Sequence, residues 1–319
     1  MKIKVVQKDL TGNVINKYES YATAAKTLGC NESTIRKAAK FNTKVFGKFM
    51  FENESEETEI SIPDSPRILF LDIETAPSVA FVWKFWKENV GLDQVINNWF
   101  MLSWSAKWLG EDSMYYDVLT SEEAIQQSDA RICATIWSLL DLADIVVAHN
   151  GNSFDLPKIQ SRFVVHGFNP PSSYRQIDTK IISQQQFGFT SNKLEALARL
   201  FGIDGKFHTE FNLWKECYKG DEEALKKMSA YNCHDVEILE EVYLKLRPYI
   251  KNHPNLNMYN DTGEMTCSIC GSNHLTLVDN RYFYTQASKF VLYRCGDCGG
   301  LSRGKKSLMP KKIISAIPK

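Results

Sequence analysis

Short apolar runs separated by polar turns predict alternating strands and helices through the middle of the chain. The run from Arg67 to Pro77, Arg-Ile-Leu-Phe-Leu-Asp-Ile-Glu-Thr-Ala-Pro, is typical of a buried strand. Periodicity predicts further strands at 99–108, 113–119 and 143–147, and helices at 130–140, 157–166, 192–201 and 222–246. The pattern indicates an α/β domain over residues 67–250.

Two smaller units flank this domain. Residues 1–52 begin with two strands around a turn at 9–13 and continue with helices at 20–29 and from Asn31 or Ser33 to Lys40. A strand over 44–51 would complete this helix-turn-helix module. Residues 53–66 are acidic, end in two prolines and read as a flexible linker. Residues 262–303 form a strand-rich cysteine module, and 304–319 a poorly ordered basic tail.

Charge is unevenly distributed although the 38 basic and 38 acidic residues balance. Residues 1–52 carry 10 Lys or Arg against 4 acids, residues 67–261 carry 19 against 26, and residues 262–319 carry 9 against 3. This pattern predicts basic ends that meet a polyanion and an acidic middle that binds cations. No apolar run approaches the roughly 20 residues of a membrane span, and no secretory signal is evident, so we expect a cytoplasmic protein without membrane contact.

Asp72 and Glu74 lie two residues apart near the end of the first predicted strand of the middle domain. Residues i and i+2 of a strand point to the same face, so the two carboxylates would emerge side by side. Their repulsion is costly unless a cation lies between them, and packed carboxylate oxygens suit Mg²⁺ or Mn²⁺. A polar strand end is the alternative for an isolated pair.

Two later positions extend this candidate site. Asp155 follows a strand and an Asn/Gly turn, and Tyr231 and Asp235 share a helix face as i and i+4. Each alone has an ordinary structural explanation, such as a helix cap or a solvated face.

Taken in order, Asp72-x-Glu74, Asp155 and Tyr231-x3-Asp235 resemble the DEDD exonuclease superfamily, and the tyrosine resembles its DEDDy subclass. Ala230 occupies the histidine position of the other subclass. The resemblance implies a ribonuclease H-like mixed sheet flanked by helices and removal of nucleotides from 3′ ends. It also implies that the four acids hold two Mg²⁺ or Mn²⁺ ions about 4 Å apart, while Tyr231 orients the attacking water.

The N-terminal module resembles the nuclease-associated modular DNA-binding repeats of phage-borne homing endonucleases. The matching features are Asp9-Leu10-x-Gly12-Asn13-Val14-Ile15, the helix with Ser20-x3-Ala24-Ala25, and Ile35-x2-Ala38. This resemblance implies a bacteriophage or mobile-element source, hence the cytoplasm of a bacterial host, and DNA contact through Asn31, Ser33, Thr34, Arg36 and Lys37. A helical hairpin for protein contact is the alternative.

Four cysteines form two Cys-x2-Cys turns, Cys267 with Cys270 and Cys295 with Cys298, separated by 24 residues. A glycine follows each second cysteine, and strands are expected at 275–278, 281–284 and 290–294. Four thiolates with this spacing predict one structural Zn²⁺ and a β zinc ribbon, resembling the ribbons of nucleic-acid enzymes. Disulfides are the alternative.

Further nucleic-acid contacts are predicted only from position. They are Asn150, Asn152 and Phe154 in the turn before the helix at 157–166, and Lys193 and Lys206 for phosphates. Turn chemistry and solvated surface charge are equally compatible with these residues. Five of the seven tryptophans lie within 81–108, and we expect most of them in the core.

The sequence thus favours a metal-dependent 3′→5′ exonuclease that acts on DNA rather than RNA. An exoribonuclease or structure-specific nuclease of the same fold is one alternative, and a non-catalytic DNA-binding regulator is another. Roughly 70 residues after Tyr249 leave no room for a polymerase domain, so we expect a nuclease acting alone or with an unidentified replication or recombination partner.

Overall fold

A computed structural model describes residues 5–10, 14–41, 44–46, 48–53, 65–203, 209–259 and 263–310. The chain divides into two compact units, Met1–Ser61 and Ile62–Lys319. The predicted linker at 53–66 lies mostly outside the described residues, as does the turn at 11–13.

The N-terminal unit is a three-stranded antiparallel sheet with two helices. Its elements are β1 (Val5–Lys8), β2 (Val14–Tyr18), α1 (Tyr21–Leu28), α2 (Glu32–Phe41) and β3 (Met50–Asn53), with strand order β2-β1-β3. Ser20 caps α1 by accepting from the Thr23 N–H, and Gly29 ends it with φ +65°. The predicted strand at 44–51 is shorter than expected, since only a bridge joins Val45 to Phe49 before β3 begins.

The second unit contains the α/β domain and the cysteine module. In chain order its elements are β4 (Ile68–Thr75), β5 (Val79–Ala80), β6 (Val95–Asn97), β7 (Met101–Trp108), β8 (Met114–Val118), α3 (Ser121–Gln126), α4 (Ala130–Leu142), β9 (Ile145–Ala148), α5 (Asp155–Val165), β10 (Arg175–Asp178), α6 (Thr179–Gln186), α7 (Leu194–Phe201), α8 (Asn212–Tyr218), α9 (Glu222–Leu246), β11 (Leu275–Tyr284), β12 (Lys289–Cys295) and β13 (Leu301–Ser307).

A five-stranded mixed sheet with order β10-β9-β4-β7-β8 forms the centre of the domain. β9 runs parallel to β4 and β10, whereas β7 is antiparallel to both β4 and β8. Alternation along β4 sends Leu69 and Leu71 into a cluster with α4 and α5, and Ile68 and Phe70 into a cluster with α9. The sheet is therefore covered on both faces, and the mixed α/β fold predicted from the sequence is confirmed.

A two-stranded hairpin, β5 paired with β6, follows the first strand of the domain. Its connecting loop, residues 81–94, exposes several large rings, and Trp83 and Trp86 are 91% and 85% exposed. Trp104 and Trp108 on β7 are buried, and Trp99 is half-buried. The expectation that most of these tryptophans lie in the core was therefore wrong, because Trp83 and Trp86 lie on this exposed loop.

The cysteine module is a three-stranded antiparallel sheet with order β11-β12-β13. The two short strands predicted at 275–278 and 281–284 form one strand, whose pairing shifts between Leu277 and Tyr282. β13 continues to Ser307, so the module extends beyond the expected limit at Arg303 and into the predicted tail. Residues 311–319 lie outside the described part of the chain. The module joins the α/β domain near Leu256, whose N–H donates to the carbonyl of Ser268.

Candidate active site

Two carboxylates emerge from one face of β4. In the antiparallel pairing with β7, Asp72 lies opposite Ser105 and Glu74 opposite Ser103. The long helix α9 packs across this face and brings Asp235 to the same place. Oxygen atoms of Asp72, Glu74 and Asp235 lie within 4.8 Å of one another.

Asp155 joins the acidic group through a hydrogen bond to the backbone of β4. Its Oδ1 accepts a hydrogen bond from the N–H of Ile73, the residue between the two strand acids, at 3.1 Å. The side chain is buried, and its charge raises the pKa of both Asp72 and Glu74. The structure thus brings together all four acids that the sequence nominated.

Burial and mutual repulsion make these carboxylates reluctant to ionise together. Burial raises the pKa of Asp72 well above its ordinary value, and the charges of Asp155, Glu74 and Asp235 raise it further. Burial raises the pKa of Glu74 to about 8, against the lowering effect of a hydrogen bond from Trp214. Burial likewise raises the pKa of Asp155 to about 7. The cluster carries unfavourable negative charge that a cation would relieve.

The donor set fits hard divalent cations. All four side chains offer carboxylate oxygens, the ligands that Mg²⁺ and Mn²⁺ prefer. Among the residues that the structure describes, the group of Asp72, Glu74 and Asp235 includes no thiolate or imidazole. Asp72, Glu74, Asp155 and Asp235 would hold such ions.

The acids are oriented by residues that were not predicted from the sequence. Asn232 is completely buried and donates from Nδ2 to Oδ2 of Asp72 at 2.6 Å, while its Oδ1 accepts from the Ser103 hydroxyl at 3.2 Å. Trp214 Nε1 donates to Oε2 of Glu74 at 3.0 Å. Ser103 and its neighbour on the same face, Ser105, alternate with large apolar residues in β7, a signal that this face meets polar groups.

The Tyr231 hydroxyl forms a hydrogen bond with the Asp235 carboxylate. Its ring packs edge-on against Trp214, with 6.1 Å between ring centroids. Burial, followed by the charge of Asp235, raises the pKa of Tyr231. The phenol therefore stays protonated at neutral pH and can orient a neighbouring oxygen but cannot serve as a base.

The turn before Asp155 is fixed by one buried carboxylate. Asp178 accepts the N–H of Asn150 and of Asn152, both at 3.0 Å, and also caps α6 by accepting the N–H of Lys180 and Ile181. Gly151 lies so close to Ala148 that an added Cβ would meet the alanine Cβ at 2.5 Å. The fixed turn positions Asp155 so that its carboxylate contacts the backbone of β4 at Ile73.

The residues predicted to contact nucleic acid around this turn differ in their exposure and in their hydrogen bonds. Asn150 has φ +77° and accepts from Lys180 Nζ at 3.3 Å, the side chain of Asn152 is exposed, and Phe154 packs against the core. Lys193 is exposed at the start of α7, whereas Lys206 lies outside the described residues. Their proposed nucleic-acid contacts stay predictions.

The surface of α2 presents the predicted DNA contacts of the N-terminal unit. Asn31, Ser33, Thr34, Arg36 and Lys37 are all exposed, while Ile35 and Ala38 are buried. Arg36 pairs with Glu32 at 2.6 Å and lies over the Tyr21 ring, 5.4 Å from its centroid. Contact with DNA through this surface stays a prediction.

The four C-terminal cysteines form a compact cluster. Their Sγ atoms all lie within 4.8 Å of one another, with 3.7 Å from Cys267 to Cys298 and 3.6 Å from Cys270 to Cys295. Sulfurs at about 2.3 Å from a tetrahedral zinc are separated by about 3.8 Å, so the cluster fits Zn²⁺. Burial alone would raise the pKa of Cys295, but hydrogen bonds from the N–H groups of Cys298 and Asp297 lower it to about 7.

Asp129, Cys133 and His166 form another group with possible metal ligands. Arg162, however, already pairs with Asp129 through two hydrogen bonds of 2.6 Å. His166 Nε2 lies 2.6 Å from Asp129 Oδ1, and the N–H of Met101 also donates to this carboxylate. The group is a structural ion-pair network, since the guanidinium supplies the compensating charge.

No helix in the described part of the chain is long and apolar enough to cross a bilayer.

The central sheet, its helices and the acidic group define a ribonuclease H-like protein. The chain belongs to the RNase_H superfamily, because the RNase_H_2 family model matches residues 69–247, more than half of its length. Residues 3–39 match the NUMOD1 domain, which agrees with the helix-turn-helix module predicted for the N-terminal unit.

Two larger proteins show distant similarity. The DNA polymerase III PolC-type protein of Ureaplasma parvum is 24% identical in an alignment of 268 positions that covers 73% of this chain and 18% of that protein. The chain therefore corresponds to less than a fifth of the length of that relative. The structure of the family B DNA polymerase from the archaeon Pyrobaculum calidifontis matches with a TM-score of 0.41 and 13% identity, over 62% of this chain and 26% of the polymerase.

Proposed function

We propose that this protein is a metal-dependent 3′→5′ exonuclease that acts on DNA. The observation that carries the proposal is the convergence of Asp72, Glu74, Asp155 and Asp235 beside a protonated Tyr231. Four crowded acids, of which Asp155 is buried and the other three are half-buried, are costly to keep together, and a cation site explains why they lie here.

The acids and their neighbours divide the chemical work. Divalent cations bound here would activate a water molecule and neutralise charge on the phosphate and on the departing 3′ oxygen. Asn232 and Trp214 hold Asp72 and Glu74 in fixed orientations. The Tyr231 hydroxyl, already hydrogen-bonded to Asp235, is available to align the attacking water.

DNA is favoured as the polymer by two separate similarities. The NUMOD1 match supports a DNA-contacting module in the N-terminal unit, and the similarity to a PolC-type DNA polymerase III supports an exonuclease of DNA metabolism. Two Mg²⁺ or Mn²⁺ ions would bind the acids, and one Zn²⁺ would bind the four cysteines.

The test uses 5′-labelled single-stranded DNA, duplex DNA and RNA of matched sequence, each with Mg²⁺, Mn²⁺ or EDTA. Wild-type protein should shorten DNA from its 3′ end in a ladder, faster than RNA, and EDTA should stop the reaction. Asp72→Asn removes one charge with little change in shape and should abolish the ladder. Asp112→Asn, at an exposed carboxylate between β7 and β8, is the matched control.

Other product patterns would decide against the proposal. Internal cuts would show an endonuclease, and faster degradation of RNA would show an exoribonuclease. Absence of hydrolysis with either metal would leave a nucleic-acid-binding protein.

A further inference from the structure

The loop 81–94 displays an unusual set of exposed aromatic rings. Phe81, Trp83, Phe85 and Trp86 are 75%, 91%, 95% and 85% exposed. Rings of this size bury about 150–250 Å² each when covered, so four of them on one short loop indicate a surface built to be covered.

The loop is held in a defined turn by its own polar residues. Glu88 accepts the N–H groups of Trp83 and Lys84, and Gln94 Nε2 donates both to Glu88 and to the carbonyl of Phe81. The Phe81 N–H donates to the carbonyl of Gln94 at 2.9 Å, next to the β5–β6 pairing. The rings are therefore presented by a fixed scaffold.

Both ends of the hairpin lie on the wall of a pocket beside the acidic group. Pro77 and Ser78 precede β5, Trp99 follows β6, and all three line this pocket of about 400 Å³ together with Thr75, Ala76, Lys158, Phe211 and Trp214. Trp214 also donates to Glu74, which places the pocket directly next to the acids. Lys158 Nζ lies 3.7 Å from the centroid of the Trp99 ring.

The residue pattern of the loop favours a nucleic-acid strand over a protein partner. Lysines alternate with the rings in Trp83-Lys84-Phe85-Trp86-Lys87. Lysine is depleted at the core of protein interfaces, whereas rings for base stacking combined with cations for phosphates are the usual surface for single strands. The position of the loop, continuous with the pocket, matches a strand whose end enters the acidic group.

We propose that the loop 81–94 binds the unpaired substrate strand, with Trp83, Phe85 and Trp86 stacking on bases upstream of the nucleotide in the active site. This inference rests on the proposed exonuclease function and adds a preference for single-stranded ends. Stacking does not require particular base identities, so the loop would grip the strand without sequence specificity.

The test measures binding by the full chain without added Mg²⁺ or Mn²⁺, so that turnover is prevented while the zinc of the cysteine module stays bound. Fluorescence anisotropy of labelled oligo(dT) and of a blunt duplex would be compared for wild type and for the triple variant Trp83→Ala, Phe85→Ala, Trp86→Ala. Because three stacking rings are removed, the triple variant should bind oligo(dT) at least about 100-fold more weakly while duplex affinity is unchanged. Tyr116→Ala, at an exposed ring on the edge strand β8, should bind both ligands as wild type does.

Tryptophan fluorescence locates the contact. All seven tryptophans lie between Trp83 and Trp214, so binding by the N-terminal unit contributes no direct signal. Oligo(dT) should quench wild-type emission and should quench the triple variant much less. With metal present, the ratio of kcat/KM for a 20-mer to that for a dinucleotide should fall in the triple variant.

Three results would overturn the inference. One is equal oligo(dT) affinity in wild type and triple variant, and another is an equal loss for oligo(dT) and duplex. The third is a wild-type dimer, seen by sedimentation, that the substitutions dissociate without changing oligo(dT) affinity, which would assign the loop to a second copy of the chain. If no DNA is hydrolysed by any form, the exonuclease proposal fails, but the binding titrations still decide the role of the loop.

Discussion

Asn232 on α9 donates a hydrogen bond to Asp72 on β4 across 2.6 Å, and these two residues are 160 positions apart in the chain. The same amide accepts from Ser103 on β7, so one side chain connects the helix with two strands at the acidic group. This bond lowers the pKa of Asp72 against the stronger effect of burial. Asn232 therefore both orients Asp72 and favours its ionised form.

Asn232→Ala should weaken Mn²⁺ binding and reduce kcat by about 10- to 100-fold, because partners that orient metal ligands typically have effects of this size. Isothermal titration with Mn²⁺ and steady-state hydrolysis would measure the two quantities. Asn257→Ala, at an asparagine near the cysteine module, is a matched control. Unchanged Mn²⁺ affinity in Asn232→Ala would show that the bond does not organise Asp72.

Without metal, the protein should lose stability as pH rises from about 4.5 to about 8. The folded-state pKa values of Glu74 and Asp155 are raised to about 8 and about 7, from ordinary values of 4.5 and 3.8. The folded state therefore binds more protons than the unfolded state in this window, and each deprotonation costs folding free energy. Urea unfolding without Mg²⁺ or Mn²⁺ should show a decline on the order of a few kcal/mol across this pH range.

Asp155→Asn should flatten this pH dependence and stabilise the metal-free protein at pH 8, since it removes one of the repelling charges. Saturating Mn²⁺ should stabilise wild type more than the variant. Equal pH dependence of stability for wild type and Asp155→Asn, without Mg²⁺ or Mn²⁺, would contradict the assigned repulsion.

The cysteine cluster should hold one zinc ion per chain, measurable by elemental analysis of the purified protein. Cys298→Ser should lower the zinc content and the melting temperature, because folding of such a module depends on its metal. Cys30→Ser, in the N-terminal unit, should leave the zinc content unchanged. Zinc content that survives loss of Cys298 would assign the metal elsewhere.

Arg162→Met should lower the free energy of unfolding by about 3–5 kcal/mol, because it leaves the buried Asp129 carboxylate without its cation. Arg199→Met is the matched control, since Arg199 forms an exposed pair with Glu195 and should cost only about 0.3–0.5 kcal/mol. Chemical denaturation would measure both. Equal effects in the two variants would mean that His166 and the Met101 N–H suffice to compensate Asp129.

The acidic group was predictable because local geometry governs most of it. Period two on a strand places Asp72 beside Glu74, and period four on a helix places Tyr231 beside Asp235. That these two pairs lie at one site was predicted only from the family resemblance, and the structure places them together. Asn232 and Trp214 could not be identified in this way, because their partners lie in remote elements and only the packing of α8 and α9 against the sheet brings them close.

The loop 81–94 shows that the hydrophobicity of a residue alone does not predict whether it is buried. Composition placed most tryptophans of 81–108 in the core, which is correct for Trp104 and Trp108 in a regular strand. Trp83 and Trp86 lie among lysines without strand or helix periodicity, and that break in pattern was the available signal. The strand β13 was not predicted for a related reason, since its Ser, Arg, Gly and Lys residues carry little hydrophobic pattern.

The Asp178 carboxylate has a consequence for how this site can be altered. It clamps the turn that delivers Asp155, and its charge also raises the pKa of Asp155. The anion that fixes the shape of the backbone thus also deepens the local negative potential that draws a cation inward. A neutral replacement at position 178 would change shape and field together, so the mechanical and electrical contributions of this residue are inseparable by a single substitution.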